Sequence, residues 1–189
     1  INAQVLNKPE AVSTGWYHSC AIDAKGVKCW GDNSRGQLDV PKKIKNVKQI
    51  AAGGFHTCAL DEKGVSCWGD NWAQQLDVPA LLNPRQITAG NHHSCALDER
   101  GVVCWGDTYF DEEERNADVL KNYKTRTVPL LQNPRQVSAG FDHTCAIDDT
   151  GVVCWGARDR GQSDPPKDLL QPPVAAISAG WYSTCALDA

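Results

Sequence analysis

The sequence predicts an all-β fold of repeated antiparallel units, and three observations support this. A segment of the form I-x-A-G-x-x-H-[ST]-C-A-[LI]-D-x-x-G-V-x-C-W-G recurs along the 189 residues. Within each copy, small and β-branched residues alternate, as in half-buried strands. Gly, Pro, Asn and Asp separate these runs and no stretch has the pattern of a long helix. The copies begin at Val12, Ile50, Ile87, Val137 and Ile177.

The spacing of the copies indicates the blades of a β-propeller. Their leading cysteines stand at positions 20, 58, 95, 145 and 185, so the periods are 38, 37, 50 and 40 residues. Such lengths suit a blade of four antiparallel strands. We therefore expect residues 1–189 to form a single propeller domain or a fragment of one, with about four and a half blades. The repeats span approximately 12–49, 50–86, 87–136 and 137–176, with a partial repeat at 177–189.

Each complete repeat contains a predicted hairpin whose turn fixes the register of its two strands. Residues 61–64, DEKG, carry Asp at the first position and Gly at the fourth position of a type I turn. Counting outward from this turn places Cys58 directly opposite Cys67. The same count pairs Cys20 with Cys29, Cys95 with Cys104, and Cys145 with Cys154.

Opposed cysteines in an antiparallel pair have nearly the separation that a disulfide needs, so we predict four bridges, one within each complete repeat. The alternatives are paired free thiols packed as small hydrophobic groups, or zinc sites, which would want closely spaced cysteine pairs. Four bridges indicate an oxidising compartment and hence a secreted, extracellular or periplasmic protein. Cys185 has no mate nine residues further on, so we expect residues outside this sequence to complete its blade.

Composition excludes several classes of function. The net charge of −4 and the pI near 5.7 argue against a nucleic acid partner, which requires a positive surface. No apolar run is long enough to insert into a membrane. The lysines between positions 42 and 48 are interpreted as part of a solvated loop. No phosphate-binding loop is present, and we expect no cofactor.

Two segments resemble a known repeat. Residues 50–60, IAAGGFHTCAL, and residues 68–76, which run from WGDN to QL, resemble the regulator of chromosome condensation repeat. The resemblance implies a seven-bladed propeller of four-stranded blades. Cysteine at an ordinarily apolar position argues against nuclear nucleotide exchange on a small GTPase. Because fewer than seven repeats are present, we expect more sequence beyond residue 189, a tight four- or five-bladed closure, or assembly between chains.

The wording W-G-D-N, G-Q and V-P at residues 30–33, 36–37 and 40–41 is similar to a secreted, Cys-containing branch of this family. That branch includes the β-lactamase-inhibitory propellers, which use loops at one end of the fold for binding. Extracellular plant receptor kinases carry related Cys-containing repeats. The resemblance therefore also implies an extracytoplasmic binding protein.

The variable residues fall on loops that we expect at one end of the fold. In each repeat, the loop from the first strand to the second and the loop after the third strand project from the same end. Binding residues generally lie on loops held by a rigid scaffold, and aromatic residues and Arg dominate interface energetics. In the alternative interpretation, these rings only cover the blade tips. The predicted ligand-binding residues are Trp16, Tyr17, Arg35, Phe55, Trp72, His92, Tyr109, Phe110, Phe141, Asp142, Arg158, Trp181 and Tyr182.

Constant positions are interpreted as structural. A histidine repeated at one blade position indicates a buried, hydrogen-bonding side chain, and a repeated Trp indicates packing. The glycine three residues before each histidine position is expected to supply a turn conformation closed to other residues. These positions are His18, His56, His93 and His143; Trp30, Trp68, Trp105 and Trp155; and Gly15, Gly53, Gly90, Gly140 and Gly180.

The insertion at residues 107–129 is the one asymmetric feature of the repeats. Its run of glutamates at 112–114 is interpreted as part of a solvated loop, and a cation site or a contact with a basic partner is the alternative. No repeat combines a nucleophile, a base and an orienting group, so we do not expect an enzyme. The function predicted is a secreted or cell-surface module that recognises a protein partner through its aromatic loops. A carbohydrate-binding lectin that uses the same loops is the alternative.

Overall fold

The computed structural model describes residues 5–106, 128–158, 160–166 and 173–188, and within these ranges all regular structure is β. Fourteen strands form five separate antiparallel sheets, one for each repeat. The strands are β1 (Ala11–Thr14), β2 (His18–Asp23), β3 (Gly26–Gly31), β4 (Gln49–Ala52), β5 (His56–Asp61), β6 (Gly64–Gly69), β7 (Gln86–Ala89), β8 (His93–Asp98), β9 (Gly101–Gly106), β10 (Gln136–Ala139), β11 (His143–Asp148), β12 (Gly151–Gly156), β13 (Val174–Ala179) and β14 (Thr184–Asp188).

The hairpins have the register that their turns predict. Cys58 pairs with Cys67 across β5 and β6, and Leu60 pairs with Val65 next to the turn. Gly64 closes that turn with a φ of 118°, a conformation that favours glycine over any residue with a Cβ. The four predicted disulfides are confirmed, with Cα atoms 4.0 to 4.1 Å apart: Cys20–Cys29, Cys58–Cys67, Cys95–Cys104 and Cys145–Cys154.

The expectation of four strands in each blade is wrong, because the described part of each complete repeat has three. After β6 the chain forms a loop that its own side chains close, rather than a fourth strand. The side chain of Asn71 accepts a hydrogen bond from the Leu76 amide at 2.8 Å and donates one to Asp77 at 3.1 Å. Pro79 follows and has no amide hydrogen to offer a sheet. These bonds compete with strand pairing and hold the chain as a loop.

The hydrophobic core lies between adjacent blades. Cys20 and Ile22 of the first blade pack with Ile50, Ala59 and Trp68 of the second. Equivalent clusters join the second blade to the third, the third to the fourth and the fourth to the fifth. The first strand of each sheet (β1, β4, β7, β10 and β13) faces a common axis, and these inner strands together line an axial channel. Burial of apolar surface therefore joins the blades in chain order.

A buried histidine joins each of the first four blades to the next, an arrangement that we call the histidine link. His56 Nε2 lies 2.8 Å from Ser94 Oγ, and that hydroxyl donates its own hydrogen to the carbonyl oxygen of Gln75. The ring nitrogen must therefore be the donor. The same link joins His18 to Thr57, His93 to Thr144, and His143 to Thr184. The interpretation of these histidines as buried hydrogen-bonding residues is confirmed.

A glutamine forms a second contact between blades, which we call the glutamine link. The side chain of Gln49 accepts a hydrogen bond from the Ile87 amide at 2.8 Å and donates one to the Ile87 carbonyl at 3.0 Å. Gln86 binds Val137 in the same way, and Gln136 binds Ile177. The first and fifth repeats have Ala11 and Ala176 at this position. Each link satisfies backbone groups on the exposed edge of an inner strand.

The glycines before the histidines do not supply an unusual turn conformation, so that prediction is wrong. Gly53 has no positive φ, and neither do its counterparts Gly15, Gly90 and Gly140. A Cβ atom at Gly53 would instead collide with the His56 ring and with the carbonyl oxygen of Gly90. Glycine is required there because the next blade approaches closely.

Candidate functional site

The loops between the first and second strands of each blade meet at one end of the axial channel. Six of their side chains form a continuous group of rings that we call the aromatic face: Trp16, Tyr17, Phe55, Phe141, Trp181 and Tyr182. They come from the first, second, fourth and fifth repeats. The structure thus brings together six of the thirteen residues that the sequence predicts for binding.

Three rings at the centre of the aromatic face stack on one another. The ring centroids of Trp16 and Phe141 are 4.7 Å apart, with planes inclined by 17°. Trp181 lies 5.2 Å from both of these rings. A cavity of about 260 Å³ lined by inner-strand and loop residues of all five repeats has the same three rings in its wall. The stack therefore covers this end of the channel, with Trp16 and Phe141 half buried in it.

The flanks of the aromatic face are open to solvent. Tyr17 is 61% exposed and packs against Phe55, with ring centroids 5.6 Å apart. Trp181 is 56% exposed and Tyr182 is 41% exposed. The guanidinium of Arg160 lies over the Tyr182 ring, 4.3 Å from its centroid, in a cation–π contact. Sequence reasoning predicted the rings but left out Arg160.

A smaller aromatic pair lies on the blades next to this group. Trp72, in the loop after β6, is 61% exposed, and its ring contacts that of His92 edge-on with centroids 5.8 Å apart. His92 belongs to the third repeat, so the pair spans two blades. The second and third repeats thus also present aromatic surface to solvent.

The charged residues predicted for binding are in different surroundings. Arg35 is exposed and its guanidinium lies 3.8 Å from Asp70 of the next repeat. Arg158 pairs with Asp164 at 2.9 Å, with both side chains largely exposed. Asp142 is buried, so its carboxylate does not contribute to the open surface. Tyr109, Phe110 and the acidic segment of residues 107–127 lie outside the described residues.

Hydrogen bonds within the loops that follow β3 and β6 hold the backbone of these loops in place. The buried side chain of Gln37 accepts a bond from the Arg35 amide at 2.9 Å and donates one to Asp32 at 2.8 Å. Hydrogen bonds from Ser34 and Gln37 lower the pKa of the Asp32 carboxyl. The second repeat has the same arrangement with Gln75 and Asp70. A rigid loop presents its variable residues with little loss of conformational entropy on binding.

The four buried histidines are neutral and take part in the contacts between blades. Burial lowers the pKa of His56 and His93 to about 3, and that of His18 and His143 to about 4, so all four are neutral near pH 7. Their rings are occupied in the histidine links. Across the described ranges, no three His, Cys, Asp or Glu side chains are placed to hold a metal ion. Nor do residues 5–106, 128–158, 160–166 and 173–188 contain a helix with the length and apolarity needed to cross a bilayer.

The sequence match to a protein family agrees with this architecture. Residues 10–37, 47–71, 85–111 and 135–162 match the Regulator of chromosome condensation (RCC1) repeat, and together they make up more than half of the chain. The chain belongs to this family. No curated protein sequence matches it. The family resemblance drawn from the motifs is confirmed.

Solved structures of two receptor kinase ectodomains are similar to this chain. The CRINKLY WD40 ectodomain of the receptor kinase ACR4 from Arabidopsis thaliana is 28% identical, with a TM-score of 0.59, over 79% of this chain and 50% of that one. The ectodomain of the Physcomitrella patens receptor kinase CR4 is 26% identical, with a TM-score of 0.66, over 91% of this chain and 47% of that one.

A more distant propeller supports the fold alone. Prp20p from Saccharomyces cerevisiae is 19% identical, with a TM-score of 0.69, and the match covers 100% of this chain and 58% of that one. The chain therefore spans about half the length of the structures that it matches.

Proposed function

We propose that this chain is an extracytoplasmic, non-enzymatic binding module that recognises a protein partner through the aromatic face and Trp72. The observation that carries the proposal is a set of large, exposed rings on the first, second and fifth repeats: Tyr17, Trp72, Trp181 and Tyr182. Tyr17, Trp72 and Trp181 are each more than half exposed. Contiguous exposed apolar surface commonly marks an interaction site, and Trp and Tyr dominate binding energy in interfaces.

The stack beneath the exposed rings supports this proposal. Trp181 rests on Phe141 and Trp16, and Tyr182 contacts both Phe141 and Trp181. Rings held in this way lose little freedom when a partner binds, so more of the contact energy appears as affinity. We assign the half-buried Trp16 and Phe141 to support and the exposed Tyr17, Trp181 and Tyr182 to contact.

The disulfides and the related ectodomains support an extracellular location. Disulfides within each of four blades persist in oxidising surroundings and are rare in the cytosol. The two receptor kinase ectodomains, at 28% and 26% identity, are extracellular parts of their proteins. We therefore place the chain in a secreted or cell-surface protein.

The test is a pull-down with three immobilised forms of the full chain. Each form is exposed to material from the native extracellular setting without reductant, and the captured proteins are compared. The wild type and a Glu62→Ala/Lys63→Ala control, changed at the opposite end, should capture the same protein. A Trp72→Ala/Trp181→Ala variant should lose it, because each truncation removes about 1 to 4 kcal/mol of binding energy. If the control lost partner binding and the Trp variant retained it, the binding surface would lie at the end of the hairpin turns and the proposal would be wrong. Binding to immobilised glycans that depends on Trp181 would favour the lectin alternative.

A further inference from the structure

In the first blade, an acidic residue lies directly beside an exposed ring of the aromatic face. Asp32 is the first residue after β3, and its backbone amide donates a hydrogen bond to the Tyr17 carbonyl oxygen at 2.8 Å. Tyr17 is 61% exposed and Asp32 is partly exposed. The second blade has the same arrangement, because the Asp70 amide donates to the Phe55 carbonyl oxygen at 2.9 Å. We call Tyr17 and Asp32 the first-blade pair.

The Asp32 carboxylate is oriented by its own loop. Ser34 Oγ and Gln37 Nε2 both donate hydrogen bonds to Asp32 Oδ2, at 2.6 Å and 2.8 Å. The bond from Ser34 lowers the pKa of the Asp32 carboxyl, and the bond from Gln37 adds to this against the opposing effect of burial. The side chain is therefore an anion near pH 7, held in one orientation before any partner binds.

Neither of these donors cancels the charge of Asp32, because a hydroxyl and an amide are both neutral. Among the described residues, no Lys or Arg nitrogen lies within 4.0 Å of the Asp32 carboxylate. Burial lowers the pKa of His18 to about 4 in spite of the nearby Asp32 carboxylate, so that ring is neutral near pH 7. A negative charge without a cationic partner thus lies next to an exposed aromatic ring.

Two arginines of the chain already make the two contacts that the first-blade pair offers. The Arg35 guanidinium lies 3.8 Å from the Asp70 carboxylate in the second blade. Arg160 lies over the ring of Tyr182 in the fifth repeat, 4.3 Å from its centroid. A planar guanidinium can stack on an aromatic ring and donate to a carboxylate at the same time. Arginine therefore matches a site that combines a ring with a carboxylate.

We propose that the first-blade pair binds an arginine side chain of the protein partner. The inference rests on the proposed function, since Tyr17 is one of the contact rings, and it adds that the partner has a basic contact surface. The net charge of −4 on the chain suits such a partner, because complementary charge speeds association and selects among partners. An acidic contact surface would instead be repelled by Asp32.

The probe is a fluorescein-labelled peptide of alternating Arg and Gly, titrated with the full chain by fluorescence anisotropy. A peptide with citrulline in place of Arg keeps the shape of the side chain but not its charge. It should bind about tenfold more weakly, because it loses both the ion pair and the cation–π contact. A Lys-Gly peptide should bind about threefold more weakly, because an ammonium group does not stack on a ring as a guanidinium does.

The variant Asp32→Asn/Tyr17→Ala should bind the Arg peptide about tenfold more weakly than the wild type, since it removes both contacts. The Asn amide oxygen can keep both hydrogen bonds that Oδ2 accepts, and Tyr17 is exposed. The matched control, Asp39→Asn/Tyr17→Phe, removes one charge from the same loop but keeps the ring, and should bind within about twofold of the wild type. Asp32→Asn alone, expected to weaken binding about threefold, serves if the double variant fails to fold.

Equal losses in both double variants, equal binding of the citrulline peptide, or no binding of the Arg peptide to the wild type would overturn the inference. Equally tight binding of the Lys peptide would overturn the assignment of arginine. The pull-down separates this inference from the proposed function. If Trp72→Ala/Trp181→Ala loses the captured partner but Asp32→Asn captures as much as the wild type, only this inference fails. If the Trp variant keeps the partner, the proposed function itself fails.

Discussion

The contacts between blades and the aromatic face differ in how closely one repeat resembles the next. The histidine link has the same residue in four repeats and the same geometry, within 0.1 Å, in all four. The two positions after each loop glycine carry Trp-Tyr, Gly-Phe, Asn-His, Phe-Asp and Trp-Tyr. An identical buried environment demands an identical residue, whereas a solvent-facing loop accepts many. Constancy among repeats therefore marks structure, whereas variation alone does not mark open surface, because Asn91 and Asp142 vary and are buried.

Acidification should have the largest effect on stability, because each of the four links between blades contains a histidine with a lowered pKa. The pKa of each linked histidine is about 3 or 4 in the folded chain, against 6.5 when exposed. As pH falls from about 6.5 towards 4, the unfolded chain binds protons that the folded chain excludes, so the free energy of unfolding decreases. Above pH 6.5 this contribution is constant. Denaturant midpoints measured across this range test the prediction, and a flat profile down to pH 5 would contradict it.

Carboxylates contribute to acid sensitivity in a separate, lower range. Burial acts to raise the pKa of the Asp98 and Asp148 carboxyls, but hydrogen bonds from backbone amides and from the side chains of Arg100 and Thr150 outweigh it and lower both pKa values. Their stabilisation is complete above about pH 4 and is lost only as the pH falls through the lowered values. A decrease in stability that begins near pH 6 therefore reports the histidines.

Removal of a single histidine ring should have the next largest effect. His93→Ala leaves a cavity and removes the hydrogen bond to Thr144, which predicts a loss of about 3 to 5 kcal/mol in the free energy of unfolding. Thr144→Val removes the hydroxyl but keeps the volume, and it should lose only about 1 kcal/mol. Equilibrium denaturation without reductant measures both. A smaller loss for His93→Ala than for Thr144→Val would show that the ring is not a packing element.

Replacement of Trp16 should affect both stability and partner binding, because its ring belongs to the aromatic face and also packs across the axis. Trp16→Ala removes stacking on Phe141 and Trp181, so it should lower the free energy of unfolding by about 2 kcal/mol and also weaken partner binding. Trp72→Ala, an exposed ring in another group, should change stability by less than about 1 kcal/mol. Equal stability of the two variants would contradict a supporting role for Trp16.

The smallest expected effect is a gain of stability at the first contact between blades. Ala11 occupies the glutamine position, opposite Ile22 as Gln49 is opposite Leu60. Ala11→Gln should form a glutamine link to the second blade and raise the free energy of unfolding by about 1 kcal/mol. Gln86→Ala, the reciprocal change, should lower it by a similar amount or more. A loss of stability in Ala11→Gln would mean that the first and second blades are spaced differently from the others.

The sequence predicted the hairpins well because their register depends on a turn of fixed length. Asp61 and Gly64 determine which residues lie opposite one another, and Cys58 and Cys67 then need no long-range information. The fourth strand was predicted wrongly, because side-chain bonds such as that from Asn71 to Asp77 compete locally with strand pairing. A count of repeat length does not reveal that competition.

Contacts across the axis were beyond sequence reasoning. Trp16 and Phe141 stack although 125 positions separate them, and their distance depends on how each blade rotates relative to the last. A usable signal existed for another feature. Gln at positions 49, 86 and 136 recurs with the repeat, and this period could have indicated the glutamine link.

The links also give the arc of blades a direction. Each histidine and each glutamine reaches from one repeat into the following one, as His93 reaches Thr144 and Gln86 reaches Val137. Every linked blade thus presents different surfaces to its two neighbours, so the blades are related head to tail. Two blades that met through the same surface could not form these links. The fifth repeat receives these bonds but has Ala176 and Ser183 at the donating positions. A repeat added by duplication therefore has to join the array in the same orientation as the others. In the opposite orientation its histidine would face no hydroxyl partner.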